Sequence, residues 1–147
     1  MPIVDVMNVR LVSVAPEATV GEAIARMLEE NVGSVAVCDG ARLVGIFTER
    51  DVLRLAGDGT APDEVRVGDV MTTSLVTVSA DDDILSAARL MSERRIRHLP
   101  VVQGDNLLGL VGIRDVLGAL TERVWSAQDQ QARETVHELL DGLPKTS

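Results

Sequence analysis

The chain contains an internal duplication. When Asp5–Leu53 is aligned with Asp69–Leu117 without a gap, 17 of the 49 positions are identical. The constant shift that takes Asp5 to Asp69 is called the repeat offset below. A tandem repeat of this kind is one supersecondary unit used twice, and each copy covers apolar surface that the other cannot bury alone. The sequence therefore predicts one module of two similar halves related by a pseudo-two-fold axis. We expect a site in the cleft between the halves, and function where the two copies differ.

Charge and aromatic content exclude several classes of partner. The chain of 147 residues is long enough for one sizeable core. It has 23 acidic and 14 basic residues, a net charge of -9 that disfavours binding to nucleic acid. One Phe, one Trp and no Tyr leave little material for a base-stacking platform. We expect no nucleic-acid partner.

The same reading disfavours membranes, disulfides and cysteine chemistry. No apolar run approaches the length of a membrane-spanning helix, and the first residues lack the pattern of a secretory signal, so the sequence predicts a soluble, cytoplasmic protein. Cys38 is the only cysteine. It ends the apolar run Val35–Cys38 and is predicted to be a small core residue rather than a nucleophile.

Both copies predict the element order β-α-β-β-α, which makes the fold class α/β (α+β), with two repeats packed sheet to sheet. A short apolar strand comes first, Leu11–Val14 and then Leu75–Val78. A helix follows, opened in the first copy by a Thr19–Glu22 capping box. Apolar residues at helical spacing define its buried stripe: Val20, Ala23, Ile24, Met27 and Leu28 in copy one, and Ile84, Ala87, Ala88 and Met91 in copy two.

A β-hairpin and a second helix complete each copy. The first hairpin pairs Val35–Cys38 with Leu43–Phe47 around Asp39-Gly40, and the second pairs Leu99–Val102 with Leu107–Val111 around Gln103-Gly104. The second helices are predicted to begin near Glu49 and near Ile113.

Segment boundaries follow from these elements. We predict repeat one at residues 1–57, a linker at 58–68, repeat two at 69–120, and a C-terminal helix and tail at 121–147. The polar, helix-favouring stretch Ala119–Leu140 is interpreted as an appended helix that either packs across the module or mediates dimerisation.

The sharpest chemical difference between the copies lies where the hairpin meets the second helix. Copy one has Thr48 and Asp51 there, whereas copy two has Gly112 and Asp115. A helix N-terminus offers free N–H groups to phosphate, and a carboxylate can accept hydrogen bonds from the vicinal diol of a ribose. The same Thr-x-x-Asp spacing is also that of a simple helix cap. The spacing alone favours the cap.

At these residues the chain resembles a tandem pair of cystathionine-β-synthase (CBS) domains, a regulatory module found alone or attached to enzymes, channels and transporters. The resemblance covers about Pro2–Leu120. Three motifs carry it: the Asp-Val-Met triplets at residues 5 and 69, the segment Gly45–Asp51, and Arg95–Val101. It implies two clefts between the repeats that bind adenosine-containing ligands, namely AMP, ADP, ATP or S-adenosylmethionine.

The resemblance also implies which residues form each cleft. The Thr/Ser-x-x-Asp motif of the family holds ribose and phosphate, and here Thr48 and Asp51 match it. Arg97 is preferred over His98 for the phosphate, because a guanidinium can hold two oxygens at once. The main cleft would be lined by Phe47, Thr48, Arg50, Asp51, Met71, Thr72, Val76, Arg97, His98, Leu99 and Pro100.

The second cleft is expected to be weaker, empty or selective for a nucleoside. It keeps Asp115 but has Gly112 where the family has Thr or Ser, and its opposite wall has no basic side chain. Its residues would be Met7, Val12, Gly33, Ser34, Val35, Gly112 and Asp115.

Two functions follow from this reading. The first is a non-catalytic sensor that binds an adenosine ligand and signals to an unknown effector protein by conformational change, as a homodimer of modules. The alternative is a dimerisation or protein-interaction module in which ligand binding has decayed. We expect no catalytic residues, because no nucleophile and base are paired and no P-loop is present. No metal site and no obligatory cofactor are expected. Asp81–Asp83 are interpreted as favouring a helix N-terminus.

Overall fold

The computed structural model describes residues 1–6, 12–127 and 130–142, and for residues 124–127 it describes the backbone only. Two compact units result. Of the described residues, the repeat-one unit contains 12–76 and 104–107, and the repeat-two unit contains 1–6, 77–103, 108–127 and 130–142. Each unit therefore takes in short segments of the other repeat: residues 69–76 and 104–107 of repeat two lie in the repeat-one unit, and the first residues of repeat one lie in the repeat-two unit.

The repeat-one unit has the predicted β-α-β-β-α order. Its strands bond in the order β1-β2-β3, with β1 parallel and β3 antiparallel to β2. Its elements are β1 (Ser13–Val14), α1 (Val20–Glu30), β2 (Ser34–Asp39), β3 (Arg42–Thr48), α2 (Glu49–Gly57), a short 3-10 helix (Pro62–Glu64) and α3 (Val67–Val70).

The repeat-two unit repeats this order and adds a helix. Its strands bond in the order β4-β5-β6. Its elements are a 3-10 helix (Ile3–Asp5), β4 (Val78–Ser79), α4 (Ile84–Arg94), β5 (His98–Gln103), β6 (Asn106–Gly112, whose first two residues belong to the repeat-one unit), α5 (Ile113–Ala127) and α6 (Gln130–Gly142).

Strand register confirms the duplication residue by residue. In the repeat-one unit Val14 pairs with Val37, and in the repeat-two unit Val78 pairs with Val101. The repeat offset that takes Asp5 to Asp69 also takes each member of the first pair to its counterpart in the second. The two parallel ladders therefore share one register, although the first is formed by Ser13–Val14 and the second by Val78–Ser79.

Turn geometry repeats in the same way. The first helix of each unit ends in a residue of left-handed conformation, Asn31 and Arg95, both with φ of 54°. Each hairpin turns at a glycine, Gly40 or Gly104, and both have φ of 63°. A left-handed residue terminates a helix because its backbone directs the chain away from the helix axis, and glycine adopts this conformation without steric cost. Arg95 therefore marks the end of α4.

Burial follows the predicted stripes, with one exception. Val20, Ala23 and Met27 are buried in α1, and the four predicted stripe residues of α4 are all buried. Leu28 is the exception, since it is 77% exposed. It borders a shallow cavity of about 270 Å³ between α1 and α2. Part of the apolar stripe of α1 is therefore not covered by other residues of its own unit.

A C-terminal helix is present, and its bounds differ from those predicted. Residues 119–127 continue α5, and the appended helix α6 begins only at Gln130. α6 packs against α4 and α5 of its own unit and buries Ala132, Thr135 and Leu139. The Ser92 hydroxyl donates to the Glu138 carbonyl oxygen at 3.4 Å. The sequence left open whether this helix packs across the module or mediates dimerisation. The structure shows it packed on one repeat of its own chain, and a role in dimerisation stays a prediction.

Other differences concern element ends. In the described part of the chain the opening strands are Ser13–Val14 and Val78–Ser79, the residues that pair with β2 and β5, and the predicted strand residue Leu11 lies outside the described residues. The predicted linker contains the Pro62–Glu64 3-10 helix and the start of α3. None of the helices in the described ranges is long and apolar enough to span a bilayer.

Gly45 lies where the segment after α3 pairs with β3. Ile46 and Thr72 exchange backbone hydrogen bonds of 3.0 and 2.9 Å. A Cβ added to Gly45 would overlap Met71 Sδ and lie 3.1 Å from the Thr72 carbonyl oxygen. We expect Gly45→Ala to lower the free energy of unfolding by about 1–3 kcal/mol, the usual cost of overpacking. Urea denaturation measures this difference.

Gly57 provides the matched control, because a Cβ added there meets nothing within 4 Å. Gly57→Ala should leave stability unchanged or raise it by about 0.5 kcal/mol. Equal stability of Gly45→Ala and Gly57→Ala would contradict the close approach of Met71 and Thr72 to Gly45.

Cys38 is a buried, free thiol on β2. Burial raises the pKa of the Cys38 thiol above its usual value, because the thiolate is poorly solvated there. Since the thiolate is the nucleophile, we expect Ellman's reagent at pH 8 to label the native protein at least about tenfold more slowly than the urea-unfolded protein. Equal rates in the two states would contradict this burial.

Candidate functional site

The N-terminus of α2 holds the two residues of the Thr-x-x-Asp motif. The Thr48 backbone N–H donates to Asp51 Oδ2 at 2.9 Å, and the Thr48 hydroxyl donates to the same oxygen at 3.2 Å. Asp51 is buried although it is charged. The motif therefore caps the helix, which is one of the two interpretations open from the spacing, and it also fixes a carboxylate and a hydroxyl side by side.

Arg54 completes this arrangement from the next turn of α2. Its Nη2 lies 3.3 Å from Asp51 Oδ1 and 3.4 Å from the Val70 carbonyl oxygen. The guanidinium thus connects α2 to the end of α3. Sequence reasoning did not identify Arg54. Its spacing of three residues from Asp51 on a helix was the available signal, because such pairs are neighbours on a helix surface.

Met71 and Thr72 lie beside this motif in the same unit. Thr72 forms a backbone bridge with Ile46, two residues before Thr48, and Met71 lies against Gly45. The structure therefore brings the start of copy two next to the motif of copy one. That Met71 and Thr72 line a ligand cleft stays a prediction.

The remaining residues predicted for the main cleft are divided between the units. Phe47 is fully buried, Arg50 exposed and Val76 half-buried in the repeat-one unit. The others belong to the repeat-two unit, where Arg97 is exposed, His98 half-buried, and Leu99 and Pro100 buried. Their participation in one cleft stays a prediction.

The second motif has a simpler hydrogen-bond pattern. The Gly112 backbone N–H donates to Asp115 Oδ2 at 3.3 Å, so the carboxylate still caps its helix. Arg97 and His98 lie close by in the same unit. The Arg97 carbonyl oxygen accepts from the Ile113 N–H at 2.9 Å, and a Cβ added to Gly112 would lie 3.9 Å from His98 Cδ2.

The other residues predicted for the second cleft belong to the repeat-one unit, apart from Met7, which lies outside the described residues. Val12, Ser34 and Val35 are buried, and Gly33 is half-buried. The Gly33 carbonyl oxygen accepts from the Glu49 N–H at 3.0 Å. Gly33 therefore makes the same backbone hydrogen bond to the first residue of α2 that Arg97 makes to the first residue of α5.

Acidic side chains elsewhere have structural partners. Asp82 accepts from the Ser79 N–H, and Asp83 accepts from the Leu85 N–H at the start of α4 and from the terminal ammonium of Met1. Within the described ranges no group of three His, Cys, Asp or Glu side chains is arranged to hold a metal ion.

Comparison with known families gives two matches along the chain. The model of the CBS domain matches residues 3–58 and again residues 67–122. Together these stretches contain most of the chain and correspond to the two repeats.

Two similar proteins match most of the chain. CBS domain-containing protein YhcV of Bacillus subtilis is 34% identical over 113 residues, which are 76% of this chain and 80% of that protein. An uncharacterized 33.4 kDa protein from the ribosomal RNA operon of Thermofilum pendens is 39% identical over 119 residues, 80% of this chain. The matched part is only 39% of that relative's own length.

A solved structure provides the comparison with a ligand. A CBS domain protein from Pyrobaculum aerophilum, complexed with AMP, superposes with a TM-score of 0.74 at 26% identity. The match covers 78% of this chain and 89% of that one.

The cap geometry predicts the stability of motif variants. Asp51→Ala removes the acceptor of the Thr48 N–H, so we expect the free energy of unfolding to fall by about 1–2 kcal/mol. Asp51→Asn keeps one amide oxygen and should lose less. Urea denaturation of both variants measures the difference.

Asp115→Ala is the matched control, because its hydrogen bond is longer and its side chain is exposed. We expect it to lose less stability than Asp51→Ala. Wild-type stability in Asp51→Ala would show that the carboxylate does not hold the start of α2.

Proposed function

Because the chain belongs to the CBS domain family, we propose that it is a non-catalytic regulatory module that binds an adenosine-containing ligand. The candidates are AMP, ADP, ATP and S-adenosylmethionine. Occupancy would be passed to an effector protein by conformational change. The AMP complex of the Pyrobaculum relative supports this ligand class.

The observation that carries the proposal is the buried Asp51 carboxylate held beside the Thr48 hydroxyl. A buried carboxylate is energetically costly unless it is hydrogen-bonded and paired. Here Thr48 and Arg54 supply those partners. The group is therefore fixed in place before a ligand arrives, which reduces the ordering cost of binding.

The chemistry of these groups suits a nucleoside. An ionised carboxylate has about four lone-pair sites. The Thr48 N–H, the Thr48 hydroxyl and Arg54 occupy three of them, so Asp51 can accept from one ribose hydroxyl while it keeps those bonds. The free N–H groups at the start of α2 favour a phosphate oxygen nearby. For the phosphate we propose Arg97, because its side chain is exposed and its guanidinium holds oxygens in pairs.

We propose that the second motif binds adenosine ligands more weakly. Gly112 supplies no hydroxyl, and Asp115 is exposed where Asp51 is buried. Each of these differences removes part of the preorganised arrangement.

Signalling requires that ligand binding favours one conformation over another, and the shift cannot exceed the differential affinity for the two. We propose that the module acts as a homodimer. The exposed Leu28 and Leu53 on α1 and α2 support this, because exposed apolar surface of this kind is typical of protein interfaces.

Isothermal titration calorimetry tests the ligand proposal. Purified protein, verified free of bound nucleotide, is titrated with AMP, ADP, ATP and S-adenosylmethionine, and with GMP as the control for the base. We expect at least one adenosine ligand to bind and GMP to fail. Asp51→Asn should weaken binding about 10- to 100-fold, since a hydrogen bond to a charged group contributes about 1.5–3 kcal/mol.

Asp115→Asn is the matched control. It should change the affinity of the stronger site by less than about threefold, because a substitution at a distant, independent site has no coupling energy with that site. Absence of binding by every adenosine ligand would refute the sensor and favour the interaction module. Binding that survives Asp51→Asn unchanged would refute the assigned site.

A further inference from the structure

A shallow, widely open cavity of about 440 Å³ lies beside Asp115 in the repeat-two unit. Its walls are the N-terminal turn, with Asp5 and Val6, and one face of α5, with Asp115, Gly118 and Glu122. Its size falls within the range of small-molecule sites, about 300–1,000 Å³. All of these residues lie within one unit, so the cavity is a feature of that unit alone.

The repeat-one unit shows what fills this position in the other copy. At the repeat offset, Gly118 corresponds to Arg54, Asp115 to Asp51 and Val6 to Val70. Arg54 contacts the Asp51 carboxylate and the Val70 carbonyl oxygen. The two corresponding residues, Asp115 and Val6, both line the cavity. The cavity therefore lies where a guanidinium lies in copy one, and Gly118 has no side chain to occupy it.

The charges around the cavity suit a cation. Asp5, Asp115 and Glu122 line it, against one guanidinium, that of Arg114. Arg114 corresponds to Arg50, and Arg54 holds Asp51 in copy one with Arg50 in place. In copy one, the arginine at position 50 therefore does not prevent the Arg54 guanidinium from pairing with Asp51, and Arg114 leaves the same possibility for a cation at Asp115. The Met1 ammonium also borders the cavity, but it is paired with Asp83 at 3.0 Å.

We propose that this cavity binds the guanidinium or ammonium group of a small organic cation, in the position that the Arg54 side chain takes in copy one. The cation would connect Asp115 to the Val6 carbonyl oxygen and so hold the N-terminal turn on α5. The cation site does not use the Thr48–Asp51 motif. It shares Asp115 with the proposed weaker nucleotide site, so the two are distinguished by testing the cation in the absence of nucleotide.

The experiment uses methylguanidinium as the probe and methylurea as its uncharged isostere, without nucleotide. Binding is followed by amide chemical shifts of the labelled protein at constant ionic strength. We expect a saturable shift at Gly112 and Gly118 with methylguanidinium and none with methylurea. Gly118→Arg supplies the missing side chain and should abolish the shift.

Gly118→Ala is the control for the substitution itself, since a Cβ there meets nothing within 4 Å, and it should retain binding. Arg54→Ala should create a second site and raise the stoichiometry from one to two. The proposal is overturned if methylguanidinium gives no saturable shift, if methylurea gives the same one, or if Gly118→Arg leaves it intact.

Discussion

The turn from hairpin to second helix depends on one hydrogen bond in each repeat. A carboxylate at the third position of the helix accepts the backbone N–H of the residue before the helix, at 2.9 Å in copy one and 3.3 Å in copy two. The donor is main chain, so the bond does not require any particular side chain at that residue. Copy two therefore keeps the turn although glycine has replaced the hydroxyl-bearing residue.

Since the cap is independent of the side chain, the two motifs are free to differ chemically while the fold stays the same. In copy one the carboxylate is buried and engaged by a hydroxyl and a guanidinium. In copy two it is exposed and borders an open cavity. Two substitutions account for most of the contrast: Thr48 becomes Gly112, and Arg54 becomes Gly118. One duplicated scaffold thus carries two different chemical environments.

Most of the fold could be predicted from the sequence, because the constant repeat offset assigns each element of one copy to an element of the other. Hairpin glycines, apolar stripes and the starts of both second helices follow from local rules of turns and periodicity. The two-residue strands β1 and β4 could not be predicted, because their length depends on how far the chain stays beside its partner strand.

The site was predictable only in part, for a similar reason. Thr48 and Asp51 are close in sequence, so their spacing indicates the cap, and the family resemblance adds Met71 and Thr72. The role of Arg54 depends on a carbonyl oxygen 16 residues away, at Val70, whose position follows from the path of the linker. Local patterns do not encode such a contact.

The asymmetry introduced by α6 has a consequence for assembly. α6 covers the outer face of α4 and α5, whereas the corresponding face of α1 and α2 carries the exposed Leu28. A duplicated chain with both faces bare would be divalent, and head-to-tail contacts between such faces can propagate into open filaments. In the described residues one face is covered by its own chain, so the proposed homodimer would use the other face once per chain and would close as a pair rather than extend.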